Sequence, residues 1–269
     1  MVSRRKFILE FLSLFIGAKT KLLSFNKKSS SMNSKPFSKT MKNNEYIPSY
    51  KKLHQRGELK RRGEDLWQLM KNCKICPREC GANRLHGEKG FCGATSQLVI
   101  ASYAPHFGEE DPLVVRGGSG TIFMTHCSLR CVFCINPDIS QENYGTKRSI
   151  EEMAQMMQNL QNRGCHNINI VTPTHYIPHM ILALDKAAER GLNIPLVYNT
   201  SGYEKAEMIK KLDGIVDLYL PDFKYGDPKI AARYSSGARK YPELAKKALL
   251  EMHKQVGIAK PDKVGIIKK

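Results

Sequence analysis

The chain has 269 residues, enough to bury one sizeable core, and its apolar content of 41% is that of a globular protein. Its formal net charge is +18, but residues 1–63 hold 16 Lys and Arg against 3 Glu, so this stretch alone carries +13. The excess lies in a Ser-, Asn- and Lys-rich segment rather than on a folded face with interleaved aromatic residues. This pattern predicts a disordered linker, so no nucleic-acid partner is expected, and a specific nucleic-acid-binding arm is the alternative.

The first residues, SRRKFILEFLSLFIGA, combine paired arginines with a short apolar run that ends in small residues. This is the pattern of a twin-arginine export signal over residues 1–18, and an amphipathic N-terminal extension is the alternative. The apolar run is short and Glu10 interrupts it, so no stable membrane span is expected. We assign residues 1–63 to a basic N-terminal extension, 64–118 to a cysteine-rich segment and 119–269 to the main domain.

Seven of the eight cysteines lie between Cys73 and Cys134. In a chain of this size such clustering favours metal or cluster binding over a disulfide framework, which small secreted domains need. A predicted helix, GELKRRGEDLWQLMKNC, leads into the first group, in which Pro and Gly turns separate four thiols. The spacing predicts a structural zinc site or an iron–sulfur site formed by Cys73, Cys76, Cys80 and Cys92.

From residue 119 onward, strand and helix patterns alternate after one earlier short strand, LVIASYA, and a loop whose Glu109 and Glu110 are expected to be solvated. The strand patterns are GTIFMTH, NINIVTP, IPLVYNT and VDLYLPDF. Capping boxes are predicted from Ser149 to Glu152 and from Ser201 to Glu204. The alternation predicts an α/β fold with a parallel sheet of β/α units.

In such folds functional groups collect at the carboxyl ends of the strands. Here these ends read MTHC, VTPTH, YNTSG and PDFKYGD, and all four are polar or carry thiols. The sequence therefore predicts a functional site at this edge of the sheet.

The stretch CSLRCVFC places Cys127, Cys131 and Cys134 at the end of the first of these strands. A dithiol redox pair would leave Cys127 unexplained, and a closed zinc site would need a fourth ligand, for which His126 is a candidate. A cubane iron–sulfur cluster held by three thiolates would leave one iron open to a substrate or cofactor. The spacing favours the cluster over zinc.

The CX3CX2C motif, with Phe133 before its last cysteine, resembles the radical S-adenosylmethionine (SAM) superfamily. The stretches GTIFMTHCSLRCVFC, INIVTPTHYIP, YNTSGYE and VDLYLPDFKY are similar, more closely, to proteins related to pyruvate formate-lyase activating enzyme. The resemblance runs from about Cys73 to Gly257. It implies a partial (β/α) barrel that is shortened at its carboxyl end, where relatives continue and this chain offers at most a short basic strand at Val264 to Ile267.

The resemblance also implies roles for the residues at the strand ends. Cys127, Cys131 and Cys134 would hold a [4Fe–4S] cluster, whose open iron would bind SAM and whose reduction would cleave it to a 5′-deoxyadenosyl radical. The activating enzymes have Gly-Gly-Glu where this chain has VTPT, so hydroxyl and carbonyl acceptors would serve instead. The residues expected to bind the cofactor are Phe133, Thr172, Thr174, Asn199, Ser201, Asp222 and Lys224.

The function implied is hydrogen abstraction by a radical SAM enzyme, with glycyl-radical activation of a partner protein as its specific form. A peptide or small-molecule substrate is the alternative within catalysis, and a low-potential electron donor of the flavodoxin or ferredoxin type would be a partner. Outside catalysis, the alternative is a zinc- or iron–sulfur-binding protein without SAM turnover. SAM and low-potential donors are cytosolic, which favours a cytoplasmic location over twin-arginine export.

Overall fold

The computed structural model describes residues 46–263 and 265–268. The twin-arginine pattern and most of the basic linker lie outside these residues. No helix in the described ranges is long and apolar enough to cross a membrane.

The described residues form a six-stranded sheet with the order β3-β1-β2-β4-β5-β6. Strands β2, β4, β5 and β6 are parallel, whereas β1 is antiparallel to both of its neighbours, β2 and β3. The sheet is not closed, and the predicted α/β class of a partial β/α fold is confirmed. The strands are β1 Leu98–His106, β2 Ser119–Met124, β3 Thr146–Arg148, β4 Ile168–Val171, β5 Leu196–Thr200 and β6 Leu218–Pro221.

The helices flank this sheet and connect its strands. They are α1 Tyr50–Gln55, α2 Glu58–Gln68, α3 Asp111–Val114, α4 Pro137–Ser140, α5 Ile150–Asn162, α6 Ile177–Glu189, α7 Ala206–Lys210, α8 Pro228–Tyr234 and α9 Tyr241–Val256. Short 3₁₀ turns occupy Leu69–Asn72, Arg84–His86 and Thr174–Tyr176. The sequence patterns do not predict α1, β3, α3, α4 or α8, all of which are shorter than eight residues and carry little periodic pattern.

The two predicted capping boxes have different outcomes. Helix α5 begins with the box, in which the Ser149 hydroxyl accepts from the Glu152 amide and the Glu152 carboxylate accepts from the Ser149 amide. The second prediction was wrong, because α7 begins at Ala206 and its N-cap, Lys205, makes no side-chain cap. Glu204 is fully buried and binds hydroxyl groups of neighbouring elements instead.

Residues 46–63, which the sequence patterns assign to the N-terminal extension, lie in the unit of the chain that runs from residue 45 to residue 269. Helix α1 and the first half of α2 bury Tyr50, Leu53 and Leu59 in the main core. At the amino end of β6, the buried Asp217 accepts from the Tyr46 hydroxyl at 2.6 Å and from the Ser49 amide at 2.7 Å. Residues 46–63 therefore pack against the main core.

The buried apolar side chains of the described residues form three clusters. The largest packs one face of the sheet against α5 and α6, through Ile122, Ile170 and Leu196 among others. On the other face, Leu113, Val197 and Leu218 pack together with Ile267, whose amide donates to the Pro112 carbonyl at 3.1 Å. Ile267 makes an isolated bridge to Pro261, so the predicted basic strand does not join the sheet. The third cluster lies at the carboxyl ends of the parallel strands.

Candidate functional site

The loop after β2 carries the CX3CX2C thiols at the predicted edge of the sheet. Cys127 and Cys131 are buried, and Cys134 is partly exposed. The Cys134 amide donates to the Cys131 carbonyl at 3.2 Å, and the Val132 amide donates to the Tyr234 carbonyl at 2.9 Å. The loop is therefore fixed both by its own turn and by the end of α8.

Two residues of this loop, His126 and Arg130, have left-handed backbones, with φ of 65° and 53°. Residues other than glycine rarely adopt this conformation, and it concentrates at functional sites where the surroundings enforce it. His126 directly precedes Cys127, and Arg130 directly precedes Cys131. The thiols of this loop are close enough to interact electrostatically.

Burial dominates the chemistry of the two inner thiols. It raises the pKa of Cys127, and it raises that of Cys131 to about 11, with the neighbouring thiols adding to the effect and Lys224 opposing it. Deprotonated sulfur at these positions needs a compensating positive charge, which a metal or cluster provides.

Asp222 and Lys224 lie close to the thiol loop, as their strand-end position predicts. The Lys224 ammonium donates to the Asp222 carboxylate at 2.6 Å. Burial alone would lower the pKa of Lys224, but the bond to Asp222 and the nearby Cys131 and Cys127 together raise it. The site therefore holds a lysine that stays positively charged.

One tyrosine hydroxyl joins the ends of β5 and β6. Tyr241, at the start of α9, donates to the Ser201 carbonyl at 2.7 Å and accepts from the Lys224 amide at 2.8 Å. Gly202 has φ of 73°, and a Cβ at this position would lie 2.3 Å from the Asp222 carbonyl oxygen. Close backbone approach thus brings Ser201 and Asp222 together, and only glycine allows it.

Phe133 remains 52% exposed beside the thiols, with its ring 5.8 Å from that of Tyr225. An exposed aromatic ring at this edge can stack on a planar ligand. Thr172 has φ of 60° and donates its amide to the Asn199 carbonyl at 2.9 Å. This left-handed backbone is unusual for a β-branched residue and lies directly after β4.

Thr174 faces the core rather than the open edge. It is 2% exposed, and its hydroxyl donates to the Glu204 carboxyl at 2.6 Å. Its donor is thus occupied within the protein. The nearby His175 is also buried, with its Nε2 2.8 Å from the Thr125 carbonyl.

Glu109 is a site residue that sequence analysis expected to be solvated. Its carboxylate accepts from the amides of Asn169 at 3.2 Å and Asn199 at 3.4 Å, on the face of the sheet opposite α5 and α6. Burial, assisted by Glu110, raises its pKa. The amide oxygen of the buried Asn169 has no partner within the described part of the chain. The signal that could have revealed this group is the pair of asparagines inside otherwise apolar strands.

The first cysteine group forms a separate loop region before β1. Cys73, Cys76 and Cys92 are buried, and Cys80 is exposed. Across residues 46–263 and 265–268, no three His, Cys, Asp or Glu side chains stand in ligand geometry.

The chain belongs to the radical SAM superfamily, whose sequence pattern matches residues 121–259. It is 35% identical over 176 residues to a protein of Methanocaldococcus jannaschii that is named only as uncharacterized, an alignment that covers 62% of this chain and 49% of that relative. The chain thus spans about half the length of the curated relative that it matches. No solved structure matches it.

Membership of this superfamily implies a [4Fe–4S] cluster and SAM. The site fits this pair of cofactors, because one loop presents three soft thiol ligands at the carboxyl end of a parallel strand. A charged lysine and an exposed aromatic ring lie beside them.

Proposed function

We propose that the chain is a radical SAM enzyme in which Cys127, Cys131 and Cys134 hold the cluster and the adjoining strand ends bind SAM. The observation that carries the proposal is the gathering of these thiols with Lys224 at one edge of the sheet. When bound, the reduced cluster supplies the electron that cleaves SAM to methionine and a 5′-deoxyadenosyl radical, which abstracts a hydrogen atom from the substrate. A low-potential protein of the flavodoxin or ferredoxin type supplies that electron.

The chain's own residues bind and orient SAM. Lys224, held by Asp222, pairs with the SAM carboxylate, and Phe133 stacks beside the adenine. The related activating enzymes use acidic groups at these positions. In this chain their place is taken by backbone carbonyls, by the hydroxyls of Thr172 and Ser201, and by Asn199. Thr174 contributes indirectly, because its hydroxyl holds Glu204.

The specific form of the reaction that we propose is hydrogen abstraction from a partner protein, as in glycyl-radical activation. In the described sheet, β6 is an edge strand. A peptide amide can hydrogen-bond to the Glu109 carboxylate and to the side-chain amides of Asn169 and Asn199, which lie together. We place the enzyme in the cytoplasm, where SAM and low-potential donors occur.

Anaerobic reconstitution with iron and sulfide, followed by reduction and addition of SAM, tests the proposal. Release of 5′-deoxyadenosine is expected from the wild-type protein. Cys131→Ala should abolish it, whereas Cys165→Ala removes a buried thiol outside both groups and should retain it. A loaded cluster that never consumes SAM would refute the enzymatic function and favour a non-catalytic metal-binding protein.

A further inference from the structure

The four cysteines before β1 converge although they are spread over twenty residues of sequence. A Cβ on Gly90 would lie 3.4 Å from the sulfurs of both Cys80 and Cys92, so these sulfurs are no more than twice that distance apart. The Cys73 amide donates to the Ala82 carbonyl at 3.1 Å and folds the first part of the loop back on itself.

A buried cation lies against this group. Arg84 is fully buried, donates to the carbonyls of Thr95 and His175, and has its Nη1 3.8 Å from the Cys73 sulfur. Among the residues that the structure describes, no Asp or Glu pairs with it. A buried charge without a counter-ion is strongly destabilising. Neutral thiols or disulfides would leave this cost in place, whereas deprotonated cysteines would offset it.

We propose that Cys73, Cys76, Cys80 and Cys92 bind one zinc ion as thiolates, that Arg84 balances the charge of this centre, and that the centre holds the Cys127 loop in place through Arg78. Four thiolates around one Zn²⁺ carry a net charge of about −2, which supplies the anion that Arg84 lacks. Zinc suits the site because four protein ligands close a tetrahedron and leave no position for a substrate.

Arg78 joins the two cysteine regions. It lies between Cys76 and Cys80 in sequence, and its guanidinium donates to the carbonyls of Ser128 at 2.9 Å and Leu129 at 3.2 Å, inside the Cys127 loop. It also donates to two carbonyls after α8, those of Ser235 and Ser236. A Gly-rich segment without a metal would lose these contacts easily, since ordering it costs conformational entropy. Zinc binding therefore orders the loop that carries the cluster thiols.

Metal analysis of the full-length protein, purified without oxygen, tests the site without any measurement of SAM cleavage. We expect about one zinc ion per chain. Cys92→Ser and Cys80→Ser should lose zinc, and Cys165→Ser should keep it. Because Cys80 is exposed, its replacement is the least disruptive to folding, and Cys80→His should retain zinc since histidine is a zinc ligand.

Iron content separates this proposal from the proposed function. Cys127→Ser should lose iron and keep zinc. If Cys92→Ser loses iron instead, the group holds a second cluster and the zinc site is wrong. If the wild-type protein contains no zinc and Cys92→Ser changes neither metal, there is no metal centre here.

The role of Arg84 is tested by the rate at which zinc passes to a colorimetric chelator. Arg84→Met should release zinc at least about tenfold faster than the wild type, because it removes the balancing charge. Arg84→Lys should restore part of the difference. Equal release rates for all three proteins would show that Arg84 does not balance the centre.

Hydrogen exchange tests the link to the Cys127 loop. Arg78→Ala should keep zinc and increase amide exchange over residues 127–134. Removal of zinc from the wild-type protein should increase exchange over the same residues. If zinc removal leaves the exchange there unchanged, the metal centre does not hold the loop.

Discussion

Glu204 is the buried carboxyl group that joins the ends of β4 and β5. Its Oε1 accepts from the hydroxyls of Thr174 and Thr200, each at 2.6 Å, and from Tyr198 at 3.1 Å. Its Oε2 has no partner within the described part of the chain. Burial raises the pKa of Glu204 to about 7, although the three hydroxyls lower it. Below neutral pH the group is therefore a neutral acid.

This carboxyl group makes stability depend on pH. In the unfolded chain its pKa is about 4.3, so the folded state holds the proton more tightly. The contribution of protonated Glu204 to the free energy of unfolding is fully present below about pH 4.3 and is lost as the pH rises through 7. We expect the free energy of unfolding of the wild type, relative to Glu204→Gln, to fall by roughly 3 kcal/mol between pH 4.5 and pH 8.

Urea titrations of both proteins at several pH values provide the measurement. His126, His175 and His179 have pKa values lowered by burial, so they titrate with the opposite effect on stability. They are present in both proteins, and their contribution cancels in the difference. A difference that does not vary with pH would show that Glu204 has an ordinary pKa.

Lys224 is expected to decide the affinity for SAM rather than for iron. Lys224→Gln removes the positive charge that faces the SAM carboxylate, and a charge-assisted bond of this kind is worth about tenfold or more in affinity. Anaerobic binding titrations of the iron-loaded protein should show this loss with iron content unchanged. Lys247→Gln, which removes an exposed ion pair on α9, is the matched control. Equal affinities in the two variants would remove Lys224 from the binding site.

At the scale of elements, the turn after β5 depends on Gly202. Gly202→Ala would force a methyl group against the Asp222 carbonyl in a backbone conformation that alanine disfavours. We expect a loss of about 2–3 kcal/mol in the free energy of unfolding and weaker SAM binding, because the end of β6 must move. Thermal melting and SAM titration measure the two effects.

Gly226→Ala is the control for this turn, because a Cβ at Gly226 would meet no atom within 4 Å. Its expected effect on stability is within about 0.5 kcal/mol. Similar behaviour of the two variants would mean that the close approach at Gly202 is not needed.

Local patterns predicted the elements that local contacts stabilise. The Ser149 box is such a case, since both of its hydrogen bonds lie within four residues. The same pattern at Ser201 failed because Thr174, thirty residues away, binds Glu204. The order of strands places Lys224 after β6, and its role at the site stays a prediction. Glu109 was not predictable, because its partners lie 60 and 90 residues further along the chain.

For the whole molecule, the described fold predicts where the chain can be shortened. Removal of residues 1–45 is the reference for this comparison, because it leaves all of the described residues in place. Removal of residues 1–56 takes away the buried Tyr50 and Leu53 and two hydrogen bonds to Asp217. We expect this longer deletion to lower the melting temperature by at least about 8 °C.

Calorimetry of the two shortened proteins beside the full chain measures these shifts. If the longer deletion melts like the shorter one, residues 46–56 do not belong to the fold.

The contacts of Arg78 also bear on when the protein becomes able to take up its cluster. The bond from its guanidinium to the Ser236 carbonyl closes a separation of 158 residues. Chains are synthesised from the N-terminus, and contacts with distant partners form late. The Cys127 loop therefore obtains its full support only after the segment following α8 has left the ribosome. Cluster insertion is thus expected to follow translation rather than accompany it.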